Sequence, residues 1–140
     1  MVDVHYAHAE PYRRLGAGQP ARPYLPVRVF GGQQWFDTLC LVDSGADLTM
    51  FHADFAQLLG LDPQTGQAAS VGGVGGTTGA RLFTLEVLAG GVRYQDLVAF
   101  SEQIPRTFGL LGRSRFFRAF AVGFDERGAQ LLLDPLPARP

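Results

Sequence analysis

The chain has 140 residues, a length that suits one domain with a core of its own. Its 12 basic residues, all arginine, nearly cancel 13 acidic ones, which argues against nucleic acid or an anionic membrane as partner. The 18 glycines, 9 prolines and 11 phenylalanines favour a turn-rich β protein over a helical bundle. No apolar run approaches the roughly 20 residues that span a bilayer, and the polar start through Asp3, His5, His8 and Glu10 is unlike a secretion signal, so a soluble, cytoplasmic protein is expected.

Residues 1–23 carry Pro11, Pro20 and Pro23 with Gly16 and Gly18, and are expected to be an extended or loosely ordered N-terminal extension. His5 and His8 have no cysteine nearby and no further histidine before His52, so a solvated tail is preferred to a metal pair, and no cofactor is implied. From Tyr24 the pattern becomes that of strands. Tyr24–Phe30 and Trp35–Val42 flank a turn at Gly31–Gln34 and predict a hairpin. Its second arm is continuously apolar from Leu39 to Val42, as for a strand entering the core; the lone Cys40 there reads as a buried, inert thiol. That strand delivers Asp43 into a turn of small residues, Ser44, Gly45 and Ala46, where a partly dry carboxylate has an adjustable proton affinity.

Beyond the turn, Phe51, Phe55, Leu58 and Leu59 recur at helical spacing, predicting a short helix stopped by Gly60 and Pro63, with His52 and Asp54 in solvent. Between Gly72 and Gly79 lie five glycines in eight residues, a composition that cannot pack a core. It is followed by neither the Lys–Ser/Thr of a phosphate loop nor a helical pattern; a plain flexible turn remains open, and a hairpin tip that closes over an extended ligand is the preferred reading. Strands resume at Arg81–Ala89 and Val92–Phe100 around Gly90–Gly91, and Ile104–Pro105 breaks the sheet. Phe108–Leu111 predicts a short apolar strand. After Gly112, Ser114 is expected to cap a helix that turns Phe116, Phe117 and Phe120 inward. Ala121–Phe124 and Ala129–Leu133 read as a closing hairpin, followed by a tail over 135–140.

Three stretches, in this order, resemble the single-lobed retropepsin kind of aspartic protease: L-V-D-S-G-A from Leu41, the V-G-G-V-G-G run from Val71, and G-L-L-G-R-S from Gly109. The resemblance covers residues 24–134. It implies an all-β, strongly bent, barrel-like lobe with one or two short helices and a flap hairpin tipped by Gly73, Val74 and Gly75. It also implies a homodimer, because hydrolysis by carboxylates needs two of them and only one Asp-Ser-Gly is present. On this resemblance Asp43 is the catalytic residue and Ser44 locks the two turns together. Asp47 contacts substrate backbone and pairs with Arg113 behind Gly112. Leu41, Leu48, Met50, Val74, Phe108 and Leu110 line a groove for an extended polypeptide with apolar side chains near the scissile bond. For Leu41 and Leu110 a place in the core is a nearly equal alternative, and Asp47 and Arg113 are otherwise both solvated. The rival reading from another class is a catalytically silent domain of the same fold, acting in dimerisation or peptide binding.

Overall fold

A computed structural model describes residues 5–73 and 76–137. Val74 and Gly75, expected at the flap tip, lie outside the described residues. The strands are β1 (His8–Pro11), β2 (Tyr24–Gly31), β3 (Gln34–Val42), β4 (Thr49–His52), β5 (Gln67–Gly73), β6 (Gly76–Ala89), β7 (Val92–Ser101), β8 (Gly109–Leu111), β9 (Phe120–Asp125) and β10 (Gln130–Pro135). Two short helices, α1 (Asp54–Leu58) and α2 (Phe116–Ala119), and one 3-10 turn at Pro63–Thr65 complete the described elements.

Strands β2-β3-β8-β4-β7-β6 are neighbours in that order, and β6 pairs again with β2, which closes a six-stranded barrel. The closure explains an otherwise awkward proline. Pro26 sits in β2 opposite Leu39, just outside the Val27–Phe30 segment that also pairs with β6, so β2 has a strand on only one side there. The barrel turns are built for their residues: Gly90 and Gly91, between β6 and β7, both have positive φ, 58° and 79°. β5 extends outside the barrel as a partner of β6, in a hairpin whose last described pair is Gly73 with Gly76.

Alternation places Val27 and Val29 of β2, Leu85, Val87 and Ala89 of β6, and Val98 and Phe100 of β7 in the interior. Phe51 is fully buried there, 5.1 Å from the Phe36 ring in an edge-to-face pair and 6.2 Å from the Phe100 ring. Gly109 makes room for it: a Cβ at 109 would lie 2.5 Å from the Phe51 ring.

Three expectations are corrected. The N-terminal extension is not loose from His8 onward: β1 pairs antiparallel with β10, and Arg13 and Arg22 exchange backbone hydrogen bonds at 2.9 Å. A four-residue, largely exposed edge strand carries no hydrophobic period to announce it. The helical stripe from Phe51 to Leu59 is broken, because Phe51 and His52 belong to β4, and the helix holds only Asp54–Leu58. β4 is flanked by β7 and β8, so its backbone groups find sheet partners that outweigh local helical spacing. His52 is accordingly buried, not in solvent, with its Nδ1 accepting the Asp54 N–H at 3.0 Å, and Leu58 is 56 % exposed. Finally, Ser114 caps no helix; α2 starts from Arg115 without a side-chain cap, and the Ser114 hydroxyl is engaged elsewhere.

Phe51 packs aromatic rings of β3, α1 and β7 at once, so Phe51→Ala is expected to lower unfolding free energy by about 3 to 5 kcal/mol, measured by denaturant titration.

Candidate active site

Asp43 stands immediately beyond β3, where the buried Val42 anchors the strand end. β3 runs parallel to β8, with Val42 opposite Leu111, and the Asp43 N–H continues the ladder by donating to the Leu111 carbonyl at 3.0 Å. The chain then turns: the Asp43 carbonyl accepts the Ala46 N–H at 3.2 Å, and its Oδ1 accepts the Gly45 N–H at 2.9 Å. Ala46 is buried and passes the support on, its carbonyl accepting the Arg113 N–H at 2.8 Å. The turn is thus held at both ends by one segment, Leu111 to Arg113. Ser44 and Gly45 are exposed, Asp43 is half-buried, and among the described residues no other donor reaches its carboxylate.

Gly112 is where the two segments touch. A Cβ there would overlap the Leu48 backbone carbonyl and crowd that of Ala46 at 2.8 Å, so the close approach requires glycine. The Gly112 N–H donates to Thr49 Oγ1 at 3.4 Å.

The expected ion pair between Asp47 and Arg113 is not formed within the chain. Both residues are exposed, and Arg113 joins the loop through its backbone instead. Exposed charges gain little from pairing, so nothing local enforces it. Leu48, Met50 and Leu110 do come together, in an apolar cluster separate from the barrel core. The same cluster contains Val71 of β5, Ala80 and Leu82 of β6, Ala99 of β7, and Ile104. Leu41 lies opposite Leu110 across the β3–β8 pair, half-buried. Phe108 stacks edge-on against Tyr24, with ring centroids 5.4 Å apart. Gly73 closes the described part of β5.

Sequence reasoning missed Asp96. This β7 residue is 3 % exposed; its Oδ2 accepts from Thr49 Oγ1 at 2.6 Å and its Oδ1 from Ser114 Oγ at 2.7 Å. Burial pushes its carboxyl above the usual carboxylate range, against the opposing effect of those two hydroxyls. The available signal was phase: Tyr94, Asp96 and Val98 alternate, and the outer two are apolar or aromatic. Cys40 is fully buried, and burial pushes its thiol up, away from the thiolate. Among the described residues, no group of three or more histidine, cysteine or acidic side chains is placed to hold a metal, and no helix is long and apolar enough to cross a membrane.

A family model described as aspartyl protease matches residues 25–114, from the second residue of β2 through the Asp96-bound Ser114. A comparison with curated proteins finds no match.

Gly112→Ala is expected to destabilise the fold by about 1 to 3 kcal/mol through overpacking against the Leu48 carbonyl, read as a lower denaturation midpoint. For Asp96, a raised folded-state pKa means that folding favours the protonated acid. Its stabilising contribution is full at pH below the ordinary carboxylate range and is lost as pH rises through the raised value. Asp96→Asn should remove that decline, so the stability difference between native protein and variant should change with pH in weakly acidic solution; a difference constant with pH would contradict it.

Proposed function

The chain belongs to the aspartyl protease family, and on that premise we propose that it is an endopeptidase whose active site forms between two identical copies, each contributing one Asp43. The observation that carries this reading is the Asp43 turn itself: a half-buried carboxylate, pinned at the end of a core strand, with one oxygen satisfied by its own turn and the turn's outer residues in solvent. Only one Asp-Ser-Gly occurs in the sequence. Acid–base hydrolysis needs one carboxyl to take a proton from water and another to protonate the carbonyl oxygen. A two-fold axis supplies the second, since an isologous contact sets like residues face to face.

Two carboxyls brought close share a single proton over a pH window that belongs to the pair. Between them a water loses its proton as it attacks the peptide carbonyl, while the protonated partner donates to the developing oxyanion; the tetrahedral intermediate then expels the amine as the nitrogen is protonated. Ser44, exposed on the turn, is the residue that would reach the partner loop. Gly45 leaves the backbone open to substrate. Ala46 has no hydroxyl to aid the ionised dyad, which supports activity extending to mildly acidic or near-neutral pH rather than the strongly acidic range.

The apolar cluster of Leu48, Met50 and Leu110 supports a preference for hydrophobic side chains flanking the scissile bond, with Phe108 beside it in sequence. Asp47, exposed next to Leu48, is free to take a substrate backbone N–H. The β5–β6 hairpin would close over the substrate as a flap, and an extended peptide would bind between flap and groove by backbone hydrogen bonds.

Asp43→Asn should cut cleavage of a mixed peptide library by at least about 10² to 10⁴-fold, with solution mass remaining that of a dimer. A native protein that binds peptides, cleaves none, and keeps its partner in the Asp43→Asn form would instead be a peptide-binding module. An active protein whose mass stays that of one chain under assay conditions would refute the shared site.

A further inference from the structure

Asp96 is the one buried carboxyl group among the described residues, and it lies outside the Asp43 turn while binding both the strand that leaves the turn and the segment that supports it. Its oxygens act separately. Thr49, which donates to Oδ2, follows the turn directly and opens β4; Ser114, which donates to Oδ1, follows Arg113, whose N–H supports Ala46. Each hydroxyl also accepts a backbone N–H. The Gly112 N–H reaches Thr49 Oγ1 at 3.4 Å, and the Thr49 N–H reaches Ser114 Oγ at 3.3 Å. A hydroxyl that accepts from the backbone keeps its single hydrogen for the carboxyl group, so the hydrogen bonds form one closed circuit.

Burying a carboxyl group is costly, and an apolar residue at this point of β7, between Tyr94 and Val98, would fill the barrel without that cost. What the acid adds is specificity of approach. Its two side-chain partners reach it only when Thr49 and Ser114, 65 residues apart, arrive together, and that coincidence is the juxtaposition of the Asp43 turn with Gly112 and Arg113.

We propose that Asp96 is a positioning residue for the catalytic turn: by bridging the Thr49 and Ser114 hydroxyls it fixes the turn against Gly112–Arg113, and so sets the alignment at which two Asp43 carboxyls meet. The catalytic consequence rests on the protease reading given above; the bridge itself does not.

The comparison is Asp96→Ala, which removes the bridge, against Asp96→Asn, which keeps an acceptor for one hydroxyl and offers an amide to the other. In peptide cleavage, the alanine variant should lose at least about tenfold in kcat with KM changed less than about twofold, and asparagine should restore most of kcat. Amide hydrogen exchange reads the same bridge without cleavage. Exchange over residues 43–48 and at Gly112 and Arg113 should quicken in the alanine variant and recover in the asparagine variant, with β2 and β6 unchanged. If the native protein cleaves nothing, the protease reading falls and exchange alone decides the bridge. Unchanged turn protection in Asp96→Ala overturns the proposal, and so does loosening spread evenly over the barrel, the mark of a core residue. Should Asp96→Ala fail to fold, the same comparison is made by Thr49→Val, which keeps the side chain's shape and removes the hydroxyl, against Thr49→Ser, which keeps the hydroxyl and removes a methyl group.

Discussion

The parallel contact of β3 with β8 is the constraint on which the site depends. It carries the ladder one residue past Val42, so the Asp43 N–H is bound by Leu111 and the carboxylate leaves the barrel at a defined point. Parallel strands cannot be joined by a tight turn, and here nearly the whole barrel is traversed between them. The turn therefore inherits its position from the closed sheet. Its return path is fixed by the same segment, through Arg113 and Ala46, and the absence of a side chain at Gly112 is what allows the two backbones to approach.

Around this contact the interior divides in two. The larger cluster, centred on Phe51 and its aromatic neighbours, closes the barrel and gives the strands something rigid to pack on. The smaller one, built on Met50, Val71 and Ala99, gathers residues of the Asp loop, of β8 and of the β5–β6 hairpin. Met50 and Phe51 are adjacent in β4 and fall into different clusters, as the two-residue period of a strand demands. One strand thus serves stability with one face and the neighbourhood of the site with the other.

Asp96 introduces a buried carboxyl group on the same face of β7 as Tyr94 and Val98. Its circuit with Thr49 and Ser114 substitutes directional hydrogen bonds for some of the nondirectional packing beneath the loop. Apolar contacts tolerate small slides between strands, whereas a carboxyl group bridging two hydroxyls at 2.6 and 2.7 Å does not.

Much of this was legible in the amino-acid sequence. Strand-like runs around paired glycines marked the β2–β3 and β6–β7 hairpins, and the apolar run into Asp-Ser-Gly marked the turn, because these are properties of neighbouring residues. The short edge strand β1, the sheet identity of Phe51 and His52, and the absence of an Asp47–Arg113 pair depended on partners far along the chain. So did the use of Ser114, whose hydroxyl is spent on Asp96 and not on the helix that follows it. Local pattern determined which stretches are strands and which carboxylate sits in a tight turn; tertiary structure alone decided which strands become neighbours, and hence which buried polar groups find each other, because a hydrogen bond across 47 or 65 residues leaves no periodic trace in the chain.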